Sequence, residues 1–444
     1  MEKSIEEIVV YSVVIIFAFL LVYFQLKKSK IKSSKTILKI EKAKQLGFYE
    51  PVSLHPVIDT DICIGTSSCI QACPEHDILG FINGKATTIN ASRCVGHGAC
   101  FHACPLGAIT LVIGTEKRGV DLPHVSKEFE TNVNGIYIAG ELGGMGLIKN
   151  AVTQGYQAVN NLAKKNNSKK NEYDLVIIGA GPAGISASLT AKELGLNFIT
   201  IEQDTLGGTV YSFPRKKVIM TSPMYLSLYG KVNKTEFTKD ELLELWNKVL
   251  QKNKIVINEN EKVESVLKND DYFEVSTKKR KIRADKILLA IGRRGSPRKL
   301  GVPGENLEKV SYRLIEPELI TNKNVLIVGG GDSAIEAALS LVDESNTIYL
   351  SYRNNAFSRI KPKNFELINN AISSNKINVL FNSNVKEIKE HYVLLNINEN
   401  NSNKELKILN DLVYIFAGGE LPNEFLQKAG ILITKRFGEA ILKN

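Results

Sequence analysis

Hydrophobic residues follow three kinds of pattern along this chain. Residues 8–26 form an uncharged run of nineteen residues, which as a helix would be about 28 Å long. Residues 173–204 and 324–361 each contain an apolar strand, a glycine-rich turn, a helical stretch and a second strand. Further apolar strands enter glycine turns at residues 284–295 and 411–423. The patterns predict one membrane-length helix followed by an α/β protein.

The first apolar run is interpreted as a membrane anchor and not as a secretory signal peptide. One lysine and three glutamates precede it, and no small-residue cleavage site follows. Eight lysines then occur in residues 27–44 against a single acid, Glu41. Because basic flanks of this kind stay in the cytoplasm, we expect a single-pass protein of the inner (cytoplasmic) membrane with a cytoplasmic catalytic body.

Length and charge restrict the class of protein. The 444 residues are enough for about three domains with more than one core. The net charge of +10 includes the eight lysines beside the apolar run, where each favours anionic lipid headgroups by about 1 kcal/mol. The sequence contains no stripe of interleaved aromatic and basic residues, so we expect no nucleic-acid partner.

The cysteines form an internal repeat. All six lie between residues 63 and 104, in three pairs that are each 31 residues apart: Cys63 and Cys94, Cys69 and Cys100, and Cys73 and Cys104. The duplicated unit ends in Cys-Pro and reads CIGTSSCIQACP and then CVGHGACFHACP. It resembles the two-cluster bacterial ferredoxins, in which the fourth cysteine of each run ligates the other cluster.

This resemblance implies two metal sites, each one thiolate short. One cluster would take Cys63, Cys69 and Cys104, and the other Cys94, Cys100 and Cys73. Thr66 and His97 stand where the family has its second cysteine. The hypothesis is a 3Fe-4S cluster beside Thr66 and a 4Fe-4S cluster with His97 as its fourth ligand, since imidazole can bind iron. The alternatives are a zinc site, which usually has C-x2-C pairs that are absent here, and disulfides, which the cytoplasm disfavours.

The first glycine-rich turn predicts a dinucleotide site. Gly179 permits a tight turn, Gly181 allows the backbone to approach a pyrophosphate, and Gly184 allows close packing of helix on strand. Glu202, at the end of the second strand, is placed to bind a ribose hydroxyl. Further candidate cofactor-binding residues are Pro182, Ala183 and Gly208.

The second turn repeats these roles with a different strand end. The candidate residues of this turn are Gly329, Gly331, Ser333 and Ala334. In place of an acid, the region after the second strand contains Tyr352, Arg353, Arg359 and Lys361. Guanidinium groups suit a 2′-phosphate, which favours NADPH over NADH. The alternative is that these basic side chains form a solvated turn.

From about residue 117 onward, the chain resembles the two-dinucleotide flavoprotein reductases of the thioredoxin reductase and ferredoxin-NAD(P) reductase type. The resemblance implies that the first fold binds FAD and that the second, inserted within it, binds the nicotinamide nucleotide. The predicted fold class is α/β, with two Rossmann-like domains, a small α+β ferredoxin-like iron–sulfur domain and an N-terminal transmembrane helix. Relatives of this fold are commonly dimers, which makes a homodimer a candidate assembly.

The segment that closes the FAD domain in this family is found early in the chain. Residues 131–157 read TNVNGIYIAGELGGMGLIKNAVTQGYQ, and a polar linker at residues 164–171 follows. We interpret this order as a circular permutation. The resemblance then implies four flavin neighbours: Gly140, Glu141, Gly144 and Met145. Glu141 stands where the family has Asp, and the alternative is a glycine-rich linker without a ligand.

These predictions divide the chain into seven segments. They are an anchor at 1–26, a basic juxtamembrane stalk at 27–56, a two-cluster ferredoxin-like domain at 57–114, the permuted C-terminal segment of the FAD domain at 115–164, the FAD-binding domain at 172–295, the NAD(P)-binding domain at 296–415, and a return segment to the FAD domain at 416–444.

The resulting function is electron transfer by an FAD-dependent NAD(P)H oxidoreductase. Every cysteine is assigned to a cluster, so no dithiol relay remains; hydride would pass to the flavin, which can release electrons singly to the clusters. Hydride transfer needs no acid or base, and no catalytic residue is nominated. The unidentified electron acceptor or donor would be a ferredoxin, a quinone or a membrane redox protein, and the direction can be reversed.

Two other functions are alternatives. Residues 207–226 resemble the flavin-covering loop of the bacillithiol-disulfide reductases, which raises a small-disulfide reductase without a dithiol relay. The other alternative is a non-enzymatic redox sensor or assembly protein.

Overall fold

The computed structural model describes residues 2–45, 49, 51, 54–75, 77–116, 119–144, 146–164, 171–213, 218–293, 295, 297–342, 345–357, 360–399 and 402–442. The chain forms two compact units. The first contains Met1–Gly119 and Phe437–Asn444, and the second contains Val120–Arg436.

The first unit begins with a single long helix. Helix α1 (Glu2–Gln45) has 44 residues, and its segment Tyr11–Gln45 is long and apolar enough to cross a membrane. The apolar run predicted as an anchor and the first part of the basic stretch predicted as a stalk lie on this one uninterrupted helix. Residues 27–45 contain no glycine or proline, and lysine is a good helix former.

The rest of the first unit is a small α+β module built from a duplicated strand and helix. Its elements are β1 (Leu54–Ile58), α2 (Ser68–Ala72), β2 (Leu79–Ile82), β3 (Lys85–Thr88), a 3-10 turn (Ala91–Arg93), α3 (Ala99–Ala103) and β4 (Ile109–Ile113). Strands β1 and β4 pair antiparallel, with Leu54 opposite Ile113. Strands β2 and β3 form a hairpin.

The last strand of the chain does not lie where the sequence predicted it. Strand β26 (Glu439–Leu442) pairs antiparallel with β4, whereas residues 416–444 were predicted to return to the FAD domain. Four of the five residues of strand β4 are apolar, and the same four are buried. A strand with this composition is stabilised by partners on both edges, and β1 and β26 supply them.

The second unit contains two sheets of dinucleotide-binding type. Its first part comprises β5 (Val120–Pro123), β6 (Ile136–Ile138), α4 (Ile148–Lys164), β7 (Tyr173–Ile178), α5 (Pro182–Glu193), β8 (Phe198–Ile201), β9 (Val218–Met220), β10 (Met224–Leu226), β11 (Gly230–Val232), β12 (Glu236–Thr238), α6 (Lys239–Lys252), β13 (Ile257–Asn258), β14 (Val263–Lys268), β15 (Phe273–Thr277) and β16 (Lys281–Leu289). The main sheet has the order β13-β8-β7-β16-β15-β14, and β6 pairs parallel with β16.

The second sheet is inserted after β16. It uses β17 (Val310–Ser311), β18 (Asn324–Val328), α7 (Asp332–Ser340), β19 (Thr347–Ser351), α8 (Pro362–Ser373), β20 (Asn378–Leu380) and β24 (Leu412–Ile415), and a meander of β21 (Ser383–Ile388), β22 (Tyr392–Glu399) and β23 (Ser402–Leu409) packs beside it. The strand order is β17-β24-β18-β19-β20, all parallel. Helix α9 (Asn423–Lys428) then places Leu426 in the core of the first sheet, and β25 (Ile433–Arg436) pairs with β5.

Both sheets pack in cores made mainly of aliphatic side chains. Val176, Ile287 and Leu289 of the first sheet are fully buried, as are Val325 and Ile327 of the second. Because parallel strands are covered on both faces, their residues are apolar at nearly every position. The carboxyl ends of β7 and β18, where the glycine turns begin, are therefore fixed by rigid strands.

Candidate functional site

The turn between β7 and α5 has the geometry that a pyrophosphate requires. Gly179 has φ +105°, and a Cβ there would lie 2.5 Å from the carbonyl oxygen of Ala290. A Cβ at Gly184 would overlap the carbonyl oxygen of Gly179, whereas one at Gly181 would meet no atom within 4 Å. Two glycines are thus required by the fold itself, and the third leaves an open approach to the backbone at the helix N-terminus.

Glu202 lies at the end of β8, next to this turn. Its Oε2 accepts a 2.6 Å hydrogen bond from the Ala180 N–H, and its Oε1 accepts a 3.0 Å bond from the Asp204 N–H. Burial raises the pKa of this carboxyl, and the two backbone donors oppose that change. Each carboxylate oxygen has a second lone pair, which leaves Glu202 able to accept ribose hydroxyls.

The loop after β8 lies against the same turn. The Gly207 N–H donates to the Ala180 carbonyl oxygen at 2.9 Å. A Cβ at Gly208 would lie 3.4 Å from the Cα of Gly181. Pro182 occupies the first turn of α5, where its missing N–H costs nothing, and Ala183 is buried beneath it.

The early segment 131–157 packs directly on this nucleotide turn. The Ala139 N–H donates to the Leu289 carbonyl oxygen at 3.0 Å, where β6 ends beside β16. A Cβ at Gly140, which has φ +88°, would lie 3.1 Å from the Cβ of Ala183. On α4, a Cβ at Gly155 would overlap the Ala183 carbonyl oxygen. The segment is therefore an integral part of the first dinucleotide fold.

The remaining predicted flavin neighbours follow Gly140. Glu141 begins a short 3-10 turn that Gly144 ends with φ +99°, and Glu141 is exposed. Met145 lies outside the described residues. Sequence reasoning missed Arg293, which follows β16: burial lowers the pKa of its guanidinium, and the nearby charges of Glu141 and Asp121 oppose that change. The signal that could have found it is a pair of arginines in the glycine turn that ends this strand.

The second turn, between β18 and α7, repeats the geometry. A Cβ at Gly329 would lie 2.5 Å from the Phe416 carbonyl oxygen, and one at Gly331 would meet no atom within 4 Å. Ala334 is fully buried and packs against Gly329, while Ser333 is exposed in the first turn of α7. The Tyr352 ring packs on the backbone of this turn at Gly330.

The basic residues predicted for a 2′-phosphate lie in the loop after β19. Arg353 and Lys361 are both exposed, and Arg359 lies outside the described residues. The Lys361 N–H donates to Oδ1 of Asp332 at 2.8 Å, which ties this loop to the first turn of α7. An exposed Arg353 beside the turn fits either a phosphate contact or a solvated loop.

Three cysteines of the first unit surround one cavity. Cys63, Cys69 and Cys104 line it together with Thr66. The Ala108 N–H donates to Sγ of Cys104 at 3.2 Å, and the Ala86 N–H donates to Sγ of Cys63 at 3.5 Å. These are the residues of the first predicted ligand set, with Thr66 at the position of the missing cysteine.

The other three cysteines surround a second cavity. Cys73, Cys94 and Cys100 line it together with His97. The Gly96 N–H donates to Sγ of Cys94 at 3.4 Å. Cys73 comes from the first repeat and the other two cysteines from the second, so this cavity joins the two halves of the duplicated unit.

The thiols and their surroundings suit a cluster of several irons. Burial, aided by neighbouring thiols, raises the pKa of Cys94 to about 12 and that of Cys100 to about 11. Iron must therefore displace protons when it binds. In the described part of the chain, no three His, Cys, Asp or Glu side chains converge closely enough for a single metal ion. An iron–sulfur cubane separates its thiolate ligands more widely than one tetrahedral zinc ion does.

Two dinucleotide turns at the ends of parallel strands, in one chain with a module that has two three-thiol cavities, define a flavin-dependent pyridine nucleotide oxidoreductase with a 4Fe-4S domain. Comparison with known proteins agrees. The pyridine nucleotide-disulphide oxidoreductase family matches residues 176–443, and the 4Fe-4S dicluster domain matches residues 55–105. The chain belongs to the pyridine nucleotide-disulphide oxidoreductase family. The predicted fusion of a reductase with a ferredoxin-type domain, and the prediction of an FAD-dependent oxidoreductase, are confirmed.

Individual relatives cover the reductase part. The chain is 30% identical over 269 residues to bacilliredoxin reductase Bdr of Bacillus subtilis (strain 168), which covers 59% of this chain and 82% of the relative. It is 31% identical over 247 residues to a ferredoxin–NADP reductase of Rickettsia rickettsii (strain Iowa), covering 54% and 66%. The solved bacillithiol disulfide reductase Bdr (YpdA) from Staphylococcus aureus aligns with a TM-score of 0.53 at 28% identity, covering 60% of this chain and 82% of that one.

Proposed function

We propose that this protein is a membrane-anchored NAD(P)H oxidoreductase that exchanges electrons between FAD and two iron–sulfur clusters. The observation that carries the proposal is the placement of all six cysteines, three around each of two cavities, in a chain with two dinucleotide turns. This leaves no cysteine pair for the dithiol relay of a disulfide reductase. The reductase relatives and the 4Fe-4S dicluster match support both halves of the proposal.

Each nucleotide has its own set of residues. FAD would be held by the backbone at Gly181, by Glu202 through its ribose, and by Gly140 and Gly144 from the permuted segment. NADPH, rather than NADH, would be held by Gly331 and by Arg353 through its 2′-phosphate. When bound, the flavin accepts a hydride and releases electrons one at a time. Arg293 supplies a half-buried positive charge near Glu141.

The two cluster sites differ in their fourth ligand. We assign a 3Fe-4S cluster to the site with Thr66, because a hydroxyl is a poor replacement for thiolate, and a 4Fe-4S cluster to the site with His97. Electron paramagnetic resonance of the anaerobic protein tests this assignment. We expect a 3Fe-4S signal together with a 4Fe-4S signal that changes in His97→Ala. Two ordinary 4Fe-4S signals, unchanged in that variant, would contradict it.

Membrane attachment through α1 completes the proposal. The described residues 11–26 are exposed without exception in the structure, which suits contact with lipid. The lysines that follow favour the cytoplasmic face, so the catalytic body would lie in the cytoplasm.

The parallel pairing of β6 with β16 supports the circular permutation.

Anaerobic titration tests the proposed function. The purified full chain is titrated with NADPH and then with NADH while the visible spectrum is recorded. We expect NADPH to bleach the flavin first and the cluster absorbance afterwards, with NADH less effective. If neither nucleotide reduces the flavin, the enzyme proposal fails and a redox-sensor role takes its place.

A small-disulfide reductase is the second candidate function. Its support is the similarity to proteins named bacilliredoxin reductase and bacillithiol disulfide reductase. Such an activity would require the flavin to reduce the disulfide directly. NADPH oxidation that depends on a low-molecular-weight disulfide, and that persists after Cys94→Ser and Cys104→Ser, would favour this candidate over electron transfer through clusters.

A further inference from the structure

Helix α1 does not end where its apolar segment ends; it continues as a rigid support on which the iron–sulfur module rests. Its side chains at Ser33, Thr36 and Ala43 are at most 6% exposed. Three polar contacts join successive turns of the helix to the β2–β3 hairpin: the Asn83 N–H donates to Ser33 Oγ at 3.0 Å, the Phe81 N–H donates to Thr36 Oγ1 at 3.5 Å, and Lys39 pairs with Asp77.

The order of these contacts orients the module along the helix. Going from the apolar segment towards Gln45, the helix first meets the hairpin turn at Asn83 and last meets Asp77, ahead of β2. Ser33 is seven residues beyond Leu26, about 10 Å along the axis. The headgroup layer is roughly 5–8 Å thick. With the apolar segment in a bilayer, the hairpin turn would lie at the outer edge of the headgroups.

The two thiol cavities lie at opposite ends of this hairpin. The first contacts the membrane-proximal end: Lys85 Nζ donates to the Cys63 carbonyl oxygen at 2.6 Å, and Gly65 packs on the Gly84 carbonyl oxygen so closely that a Cβ would overlap it. The second cavity is lined by Ile78 and Leu79, next to Asp77. The site of Cys63, Cys69 and Cys104 is therefore nearer the membrane.

The membrane-proximal cavity also has an apolar mouth. Ile64 and Leu106 line it and are 66% and 50% exposed. None of the residues that line the second cavity is a strongly exposed large apolar side chain. The exposed apolar surface is thus confined to one of the two cluster sites.

We propose that the Cys63–Cys69–Cys104 site exchanges electrons with a quinone dissolved in the bilayer, and that Ile64 and Leu106 form its apolar docking edge. Ile64 and Leu106 together expose at most on the order of a few hundred Å², well below the roughly 800 Å² per partner of a stable protein interface. A small lipid-soluble carrier needs no more than this. The proximity of the site to a membrane-spanning helix selects a carrier in the lipid over one in the cytoplasm.

This inference rests on the proposed function, and its reaction balances. NADPH donates a hydride, which is two electrons and one proton. One further proton comes from water, and the quinone is reduced to the quinol: NADPH + H⁺ + quinone gives NADP⁺ + quinol. The chain contributes the FAD and cluster sites, which would convert the two-electron transfer from NADPH into single-electron steps.

The height of the module above the bilayer tests the proposal. Seven helix-forming residues are inserted into α1 after Lys28, which preserves the helix face and raises the module by about 10 Å. The matched control inserts the same residues before residue 8, at the other end of the apolar run, where the height is unchanged. The full-length protein with its cofactors is placed in nanodiscs of phosphatidylcholine and phosphatidylglycerol, with decylubiquinone as the lipid-soluble acceptor and ferricyanide as the soluble one.

We expect the raised variant to reduce decylubiquinone at least about tenfold more slowly, because its site is carried about 10 Å further from the headgroups that it borders in the native protein. Ferricyanide reduction should be unchanged in both insertions. Amide hydrogen exchange in residues 57–66 and 104–108 should be faster in the raised variant than in the control. Equal quinone rates and equal exchange in the two insertions would overturn the inference.

A second variant tests the docking edge itself. Leu106→Glu should lower the decylubiquinone rate by about tenfold, the equivalent of about 1.4 kcal/mol of lost apolar contact, while iron content and cluster spectra are retained. Leu319→Glu, at a leucine that is 73% exposed in the other unit, is the control. If NADPH reduces the flavin and ferricyanide but the native protein reduces a soluble ferredoxin in preference to decylubiquinone, the inference fails while the proposed function stands. If NADPH reduces neither, the proposed function itself fails.

Discussion

Two glycines three positions apart in the first nucleotide turn should respond oppositely to the same change. A Cβ at Gly184 would overlap the Gly179 carbonyl oxygen, which is backbone and cannot rotate away. A Cβ at Gly181 would meet no protein atom within 4 Å, and the φ of Gly181 is −76°, which alanine adopts freely. Gly184→Ala therefore tests the fold, and Gly181→Ala tests the space that the FAD pyrophosphate would occupy.

The expected magnitudes follow from these contacts. Overpacking at Gly184 costs about 1–3 kcal/mol or more, and the better helix propensity of alanine returns about 1 kcal/mol. A net loss of about 1–2 kcal/mol lowers the melting temperature of a domain of this size by about 2–8 °C. Gly181→Ala should stabilise the FAD-free protein by about 0.4–1 kcal/mol through the unfolded chain. Crowding of the pyrophosphate should weaken FAD binding by about tenfold to a hundredfold.

The assay is a pair of measurements on each variant. Thermal unfolding of the FAD-free protein gives stability, and titration with FAD, followed by quenching of flavin fluorescence, gives affinity. The reasoning is refuted if Gly181→Ala binds FAD as tightly as the native protein, or if Gly181→Ala rather than Gly184→Ala lowers the melting temperature of the FAD-free protein.

Three further predictions concern the second nucleotide site and its support. Gly331→Ala should raise the KM for NADPH by about tenfold, because the added Cβ would meet no protein atom within 4 Å and would crowd the bound pyrophosphate instead. FAD content should be unchanged, and a loss of FAD would contradict this role. Arg353→Glu should shift kcat/KM towards NADH by about tenfold or more, since a charged hydrogen bond contributes about 1.5–3 kcal/mol; an unchanged NADPH to NADH ratio would support the solvated-turn alternative. For Glu305, burial raises the pKa but hydrogen bonds from the Tyr312 hydroxyl and backbone N–H groups outweigh it, so its pKa is lowered. The stabilisation by the Glu305 carboxylate is therefore complete above the unfolded pKa and lost as the pH falls. Glu305→Gln should be less stable at neutral pH by about 1–3 kcal/mol, and its melting temperature should change less than that of the native protein from about pH 5 to about pH 3. A melting-temperature profile parallel to that of the native protein would contradict this.

Features that depend on residues close together in the chain could be predicted from the sequence. The glycine turns are examples, because Gly179, Gly181 and Gly184 lie within a single strand, turn and helix, where Gly184 packs on Gly179. The 31-residue repeat is another, since it records a duplicated loop and short helix. These local signals were sufficient for the family, for the two nucleotide turns and for an iron–sulfur domain.

Features that depend on contacts between distant segments were decided by the tertiary structure. Arg293 is near Glu141 only because β6 and β16 are neighbours, and no spacing in the sequence records that pairing. Strand β26 pairs with β4, because an apolar strand is stabilised by partners on both edges, although the rest of the predicted return segment, from α9 to β25, packs with the first sheet and β5.

The long helix shows both levels in one element. Its apolar length and its lysines were determined by the sequence alone, as was the prediction that it anchors the chain. That Ser33 and Thr36 hold the iron–sulfur hairpin, and that one thiol cavity is consequently nearer the apolar end of the helix, was decided by packing between residues more than forty positions apart. Local composition sets what an element can be, whereas the complementary surface that it buries sets where it lies.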